Sequence, residues 1–214
     1  MKSLLKLLCH KVKRNYEDYG ILNTVFKSVF SVIGIIYRRK VFRIYKKDIS
    51  CINKPVAGSE YYDFKKISSK DENHISFIEN IAEWMDGCLR DMIDKGSCCY
   101  VFLKNEKIIA FNLVSFGEIY IPLIHYNKKF PRNSAWSEHI WVDKNFRNND
   151  IATNLRINAF SDLSMMGIKW LYGGCLTCNK ISLKLAEKLN FRNIMDISYI
   201  RIMNFKKWKI KRIS

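Results

Sequence analysis

A short polar segment in the second half of the chain has the residue types and spacing of an anion-binding turn. It runs from Arg147 to Ala152 as Arg-Asn-Asn-Asp-Ile-Ala. Bulky and β-branched residues at 135–142 precede it and predict a strand. Apolar residues then recur at near-helical spacing from Ile151, and Gly167 is expected to end that helix. Since the N–H groups and dipole of a helix N-terminus attract anions, the segment predicts a phosphate site.

A carboxylate on the predicted strand is the candidate for proton transfer. Glu138 precedes Ile140 and Val142 by two and four residues, so strand alternation predicts that the three side chains share a face. A carboxylate held there could act as a general base. Two alternatives stay open. In the first, Glu138 is a surface carboxylate that pairs with a lysine. In the second, the base is Glu118 or His125, which lie in the segment 118–133.

The cysteines do not predict a metal site. Cys175-Leu-Thr-Cys178 is a CxxC, but a zinc site needs two more ligands, and neither a second CxxC nor a pair of histidines supplies them. The chain has seven cysteines without framework spacing, and no cleavable signal segment is expected. This usage favours a reduced, cytoplasmic location.

The elements around these residues follow a regular order, and 48% hydrophobic residues indicate a globular domain. The segment 118–133, with two prolines, is expected to be a loop that lines a substrate cleft. The other predicted elements are a strand at 61–67, helices at 71–84 and 86–95, strands at 98–103 and 108–116 joined by a tight turn, and a closing strand at 197–205.

Two motifs together resemble the GNAT superfamily of N-acetyltransferases over about residues 61–205. The first is a strand ending in Val, then Arg/Gln-x-x-Gly-x-Gly/Ala, then a helix; it is matched by Val142, Arg147, Ile151, Ala152 and Leu155. The second is Asn-x-x-Ser-x-x-x-x-Glu-Lys-Leu-Gly-Phe, which is similar to residues 179–191. The resemblance implies an α/β fold with a mixed, mostly antiparallel central sheet flanked by helices.

The departures from the motifs define what has to be tested. Asn148, Asp150 and Asn190 stand where the family has glycine, and Asn and Asp are the non-glycine residues that best accept positive φ. The Asp150 carboxylate would repel a pyrophosphate by about 1 to 4 kcal/mol unless it points to solvent or caps the helix. Ala186 stands where the family has a tyrosine that acts as general acid, and Tyr172, Tyr199 or a water molecule are the substitutes.

The resemblance implies an enzyme that moves an acetyl group from acetyl-CoA to a primary amine of a small molecule, such as an amino sugar or an envelope precursor. The amine attacks directly in a ternary complex, with Glu138 as general base. The backbone of Ile140 and Val142 would hold the pantetheine arm. The pyrophosphate would bind Arg147, Asn148, Asn149, Asp150, Ile151 and Ala152, and Asn179 and Ser182 would also reach the cofactor.

The net charge of +17 is concentrated at the two ends of the chain: residues 1–50 carry +9 and residues 201–214 carry +6. Residues 21–37 have the pattern of an amphipathic helix, followed by the basic run 38–47. We therefore expect a basic, helical N-terminal extension at 1–54 and a GNAT-like domain at 55–214 with a basic tail. The first residues of the second part, 55–59, are expected to be the linker.

Two partners of the extension are open. The first is an anionic membrane surface at the cytoplasmic side, which the apolar face would bind through residues 1–50. The second is protein, including a second copy of the chain in a homodimer, on which the same face would pack. No recognised nucleic-acid motif accompanies the charge, so no specific nucleic acid is expected. The alternative to the enzyme is a catalytically degenerate GNAT-fold binding protein tethered by its basic N-terminus.

Overall fold

The computed structural model describes residues 37–52, 62–82 and 87–213. The chain divides into two compact units, a larger one of residues 42–196 and 211–214 and a smaller one of residues 1–41 and 197–210. Apart from Tyr37, the amphipathic helix predicted at 21–37 lies outside the described residues, and so does the predicted linker at 55–59.

The described residues form ten strands, four α-helices and two short 3-10 helices, Pro122–Ile124 and Lys144–Phe146. The strands are β1 Tyr37–Asp48, β2 Asp63–Ile67, β3 Cys98–Lys104, β4 Lys107–Phe116, β5 Glu118–Ile121, β6 Tyr126–Lys129, β7 Ser134–Val142, β8 Trp170–Leu176, β9 Arg192–Ile202 and β10 Phe205–Arg212. The helices are α1 Glu72–Ile81, α2 Leu89–Asp94, α3 Ile151–Met165 and α4 Lys180–Lys188.

One sheet organises the larger unit, with the strand order β9-β1-β8-β7-β4-β3-β2. The pairs β1–β8, β2–β3, β3–β4 and β4–β7 are antiparallel, whereas β7 and β8 are parallel. This confirms the predicted α/β class with a mixed, mostly antiparallel sheet. In the smaller unit, β10 lies beside residues 197–202 of β9.

The helices of the larger unit cover both faces of the sheet. On one face, Ile75 and Ile78 of α1 and Leu89 of α2 pack with Phe111 and Leu113 of β4. The opposite face is covered by α3, which buries an i, i+4 stripe there, and by α4; the stripe consists of Ile151, Leu155, Ala159 and Leu163. Residues 143–150, which include a short 3-10 helix at Lys144–Phe146, connect the C-terminal end of β7 to the N-terminus of α3.

Three segments differ from the sequence expectations. Residues 37–48, assigned to the helical extension, form β1, where apolar side chains alternate with basic ones and Phe42 and Ile44 are buried. Residues 205–212, expected to be a basic tail, form β10. Residues 118–133, expected to be a loop, contain the hairpin β5–β6.

A pair of glycines in β8 lets β1 pack closely against it. A Cβ atom on Gly173 would lie 2.6 Å from Cε2 of Tyr45, and one on Gly174 would lie 2.3 Å from Cε1 of Phe42. Both distances are far shorter than a van der Waals contact. The two aromatic rings of β1 therefore pack directly on the backbone of β8.

We expect Gly173→Ala to lower the free energy of unfolding by about 1–3 kcal/mol, because the added methyl group overpacks a buried site. Urea denaturation would measure the change. A second substitution, Tyr45→Leu, removes the crowding ring and should recover part of the loss, so that the two changes are not additive. Full additivity would show that the ring does not restrict this position.

Candidate active site

An opening in the sheet lies beside the second half of β7. The parallel pairing of β7 with β8 covers Ser134–Ser137 and Trp170–Gly173. β7 then continues to Val142 and β8 to Leu176 without pairing with each other. On its other side β7 stays paired with β4 as far as Val142. The two strands therefore separate after Ser137, and one edge of β7 faces the gap.

A β-bulge stands where the separation begins. Leu113 of β4 pairs with His139, whereas the next residue, Val114, pairs with Ser137, so Glu138 is the extra residue in β7. A bulge of this kind bends a strand and changes the direction of its side chains, and bulges are common beside active sites. The alternation that the sequence predicted for Glu138, Ile140 and Val142 is therefore interrupted.

The bulge separates these side chains between the two faces of the sheet. His139 lies 5.5 Å from Phe111, ring to ring, on the face covered by α1 and α2. Glu138 interacts with Ser115, which follows Phe111 and Leu113 in alternation on that same face. Ile140 and Val142 pair with Asn112 and Ala110 on the α3 face. The expectation that Glu138 shares a face with Ile140 and Val142 was therefore wrong.

Burial changes the proton affinity of the side chains beside the gap. Glu138 is half-buried, and loss of hydration raises the pKa of its carboxyl above the ordinary value, while the Ser115 hydroxyl opposes part of the rise. The pKa of the neighbouring His139 is lowered, also by burial. A carboxylate whose pKa moves towards neutrality is better matched to proton abstraction near pH 7.

The turn between β7 and α3 has the backbone shape that its residue types predicted. Asn148 has φ +66° and Asp150 has φ +56°, values that glycine, Asn and Asp accept more readily than other residues. Helix α3 begins at Ile151, and its first N–H groups, including that of Ala152, have no partners within the helix. These N–H groups and the helix dipole make the end of the turn suitable for an anion.

The charged side chains of the turn have defined contacts. Nε of Arg147 donates to the carbonyl of Val142 at 3.2 Å, so the exposed guanidinium is tied to the end of β7. Asp150 makes no side-chain cap on α3; its carboxylate instead forms an ion pair with Lys188 of α4. Asn149 is exposed. The carboxylate that the sequence identified as the electrostatic problem thus has a cation beside it.

The second motif forms the start and end of α4. The Asn179 side chain caps the helix, with Oδ1 accepting from the backbone N–H of Ser182 at 3.1 Å. Ala186 is buried and lines a groove of about 590 Å³. Asn190, which stands in for a glycine, has φ +55°. The motif thus has a structural role as a capped helix that packs on the α3 face.

The other candidate residues lie in different surroundings. Glu118 is exposed at the start of β5. The His125 ring lies 2.8 Å from the Tyr120 hydroxyl, through Nδ1, in the β5–β6 hairpin. Tyr172, a substitute for the missing general acid, is buried with its ring 4.6 Å from that of Phe130.

Arg156 is the polar residue of this region that sequence reasoning missed. It lies on the buried face of α3 and is 5% exposed. Its Nη2 donates to Oγ of Ser137, the last residue of β7 that pairs with β8, at 3.2 Å. The available signal was its position directly after Leu155, on the apolar face of the helix.

Neither a metal site nor a membrane-spanning helix is present among the residues that the structure describes. Within 37–52, 62–82 and 87–213, no group of three or more His, Cys, Asp or Glu side chains is arranged to hold a metal ion. In the same ranges, no helix has the length and apolar character needed to cross a membrane.

No family model and no curated protein matches the sequence. Solved structures match the fold. A GCN5-related N-acetyltransferase from Sphaerobacter thermophilus has a TM-score of 0.53 at 9% identity over 87% of this chain and 56% of its own. A tandem GNAT protein from the clavulanic acid biosynthesis pathway has a TM-score of 0.53 at 10% identity over 86% and 57%. A protein assigned to the GNAT family of acetyltransferases, from Novosphingobium aromaticivorans, has a TM-score of 0.50 at 11% identity over 83% and 66%.

The chain has the GNAT fold. This confirms the resemblance drawn from the two sequence motifs. The chain spans 56% to 66% of the lengths of these three structures. Within this GNAT fold, the gap between β7 and β8 and the turn before α3 are adjacent, because β7 borders the gap and leads into the turn.

The raised pKa of Glu138 predicts a pH-dependent stability difference from Glu138→Gln. When the folded-state pKa of a carboxyl is raised, the folded state binds the proton more tightly, so ionisation at higher pH destabilises it. Wild type should therefore lose stability relative to Glu138→Gln as pH rises from the unfolded-state pKa of about 4.3 through the folded-state value. Urea denaturation across pH 4–8 would measure this, and parallel curves would contradict the raised pKa.

Proposed function

We propose that the chain is an N-acetyltransferase that moves an acetyl group from acetyl-CoA to a primary amine of a small molecule. The observation that carries the proposal is the position of Glu138. It occupies a bulge at the point where β7 and β8 separate, with its pKa raised by burial, on the strand that leads into an anion-binding turn. A base, a gap along a strand edge and an anion site thus lie on consecutive parts of the chain.

The residues around the gap fit the parts of acetyl-CoA. The pantetheine arm would lie along the free edge of β7, with the backbone of Ile140 and Val142 as partners. The pyrophosphate would meet the first N–H groups of α3 in the turn 147–152, which includes Asn148 and Asn149, and Arg147 would add charge-assisted hydrogen bonds. Asn179 and Ser182 are proposed to reach the cofactor from α4, in addition to the cap they form.

In the proposed reaction the amine attacks the thioester carbon directly, within one complex that holds both substrates. The enzyme positions the two reactants and removes a proton from the amine. Glu138 is the proposed base because its carboxylate lies on the α1–α2 face, opposite the α3 face. The acceptor would then approach from the α1–α2 side of the sheet.

A binding protein without activity is the second candidate. Ala186 favours it, because the side chain at this position of α4 carries no hydroxyl group to protonate a leaving thiolate. Binding without turnover would distinguish this candidate from the enzyme. The cytoplasmic location, the anionic membrane partner of residues 1–50 and the homodimer stay predictions that rest on the distribution of charge and apolar residues.

Cofactor binding tests the proposal. Acetyl-CoA and desulfo-CoA should each raise the melting temperature, since a ligand that binds only the native state stabilises it. Arg147→Met should weaken binding about tenfold through loss of a charge-assisted contact. Arg132→Met, which removes another exposed arginine outside the turn 147–152, should leave cofactor binding unchanged. No shift with millimolar cofactor would refute the enzyme and the cofactor-binding protein together.

The ion pair between Lys188 and Asp150 predicts a second effect on binding. Lys188→Met leaves the Asp150 carboxylate without its cation beside the proposed pyrophosphate site. Affinity for acetyl-CoA should fall about two- to fivefold, as expected for an exposed charge interaction. Adding Asp150→Asn should restore the affinity, which calorimetric titration of the single and double variants would measure. An equal loss in the double variant would mean that Lys188 acts on the cofactor independently of Asp150.

A further inference from the structure

Arg156 is a buried cation without a buried anion. It is 5% exposed, and among the described residues no carboxylate forms an ion pair with it. Its Nη2 donates to Oγ of Ser137 at 3.2 Å, and within 37–52, 62–82 and 87–213 its Nε has no hydrogen-bond partner. A guanidinium has five N–H donors and is expensive to bury without matching acceptors. The arrangement therefore leaves both charge and hydrogen-bonding capacity unmatched.

The immediate neighbours of Arg156 do not supply the missing charge. They are the Tyr45 hydroxyl, the Cys175 thiol and the Phe191 ring, whose centroid lies 5.9 Å from the guanidinium carbon. Burial lowers the pKa of Arg156, and Tyr45 opposes part of that fall. Burial also raises the pKa of Tyr45 and of Cys175, which keeps both groups neutral near pH 7. In the part of the chain that the structure describes, the surroundings of the guanidinium are thus polar and aromatic but uncharged.

The position of Arg156 relates it to the gap between β7 and β8. Its partner Ser137 is the last residue of β7 that pairs with β8, so the guanidinium lies at the closed end of the gap on the α3 face. The next residue, Glu138, directs its carboxylate to the opposite face, towards Ser115. The Glu138 carboxylate and the Arg156 guanidinium therefore lie on opposite sides of β7, and Ser137, which the guanidinium contacts, directly precedes Glu138.

We propose that Arg156 stabilises the negative charge that develops on the CoA sulfur when the thioester bond breaks. The inference rests on the proposed function, since it requires a thioester in this gap. The amine nitrogen forms a bond to the carbonyl carbon, and its proton passes to Glu138. The electron pair of the C–S bond then leaves with sulfur as a thiolate, which the guanidinium stabilises on the other side of the strand.

The chemistry of arginine defines what this group does. A guanidinium keeps its proton at all physiological pH values, so Arg156 stabilises the thiolate by charge and hydrogen bonding, and the thiolate takes its proton from solvent after release. This removes the need for a hydroxyl donor at Ala186. A fixed cation in a buried site acts more strongly than one in water, because the effective dielectric constant is lower.

The ionisation of the CoA thiol in the complex tests the inference without knowledge of the acceptor amine. The thiolate absorbs in the ultraviolet, so a pH titration of bound CoA, with bound desulfo-CoA as blank, reports the thiol pKa. We expect the bound thiol to ionise at least about one pH unit below free CoA, as for a group beside an opposite charge. Arg156→Met should abolish this shift, and Arg156→Lys should keep part of it.

A matched control uses the other arginine of this region. Arg147→Met should weaken CoA and desulfo-CoA equally and leave the pKa of the bound thiol unchanged, because Arg147 is exposed at the turn. Arg156→Met should fold, because replacing a buried unpaired charge by an apolar side chain is often neutral or stabilising. If this variant does not fold, the pKa of the bound CoA thiol is compared between Arg156→Lys and wild type, and the shift should be smaller in Arg156→Lys.

The outcomes separate the inference from the proposed function. If wild type binds CoA but the thiol ionises as in free CoA, or if the shift persists in Arg156→Met, the inference is wrong and the proposed function stands. If neither CoA nor desulfo-CoA binds, the proposed function itself fails. A shift that disappears with Arg156→Met and survives Arg147→Met supports the inference.

Discussion

The separation of β7 from β8 after Ser137 is the constraint on which the site depends. Parallel strands hold their backbone groups in mutual hydrogen bonds, and a bulge at Glu138 ends this arrangement on one side of β7 while β4 holds the other side. The free edge of β7 then has peptide groups that need partners from outside the sheet. The bulge also turns Glu138 away from the α3 face, so one local irregularity creates both the gap and the position of its carboxylate.

The sequence predicted the parts of the fold that depend on neighbouring residues. Helix α3, the turn before it and the positive φ values at Asn148 and Asp150 follow from residue types within a few positions of one another. The position of β1 depends on distant partners. Its basic residues, such as Arg43, were assigned to the helical extension, yet Arg43 forms an ion pair with Asp196 at 2.8 Å while Phe42 and Ile44 fill the core. The two glycines of β8 that accept β1 lie far away in the sequence.

The same distinction explains the errors at the site. Strand alternation is a local rule, and it predicted a common face for Glu138 and Ile140. The bulge depends on the register between β4 and β7, which no local pattern contains. The contact of Asp150 with Lys188 joins the two motifs across 38 residues of sequence. Asp150 was a concern because its carboxylate would lie beside a pyrophosphate, but its partner Lys188 could be identified only from the packing of α3 against α4.

In its proposed role, Arg156 sets function against stability in this core. An apolar side chain would fill its place on α3 without the loss of hydration that a buried guanidinium suffers. Tyr45, Cys175 and Ser137 soften that penalty without neutralising the charge. The guanidinium lies at the closed end of the gap and contacts Ser137, the residue before the Glu138 carboxylate of raised pKa, so the two groups face opposite sides of β7. That arrangement suits a reaction in which a proton leaves on one side and negative charge accumulates on the other.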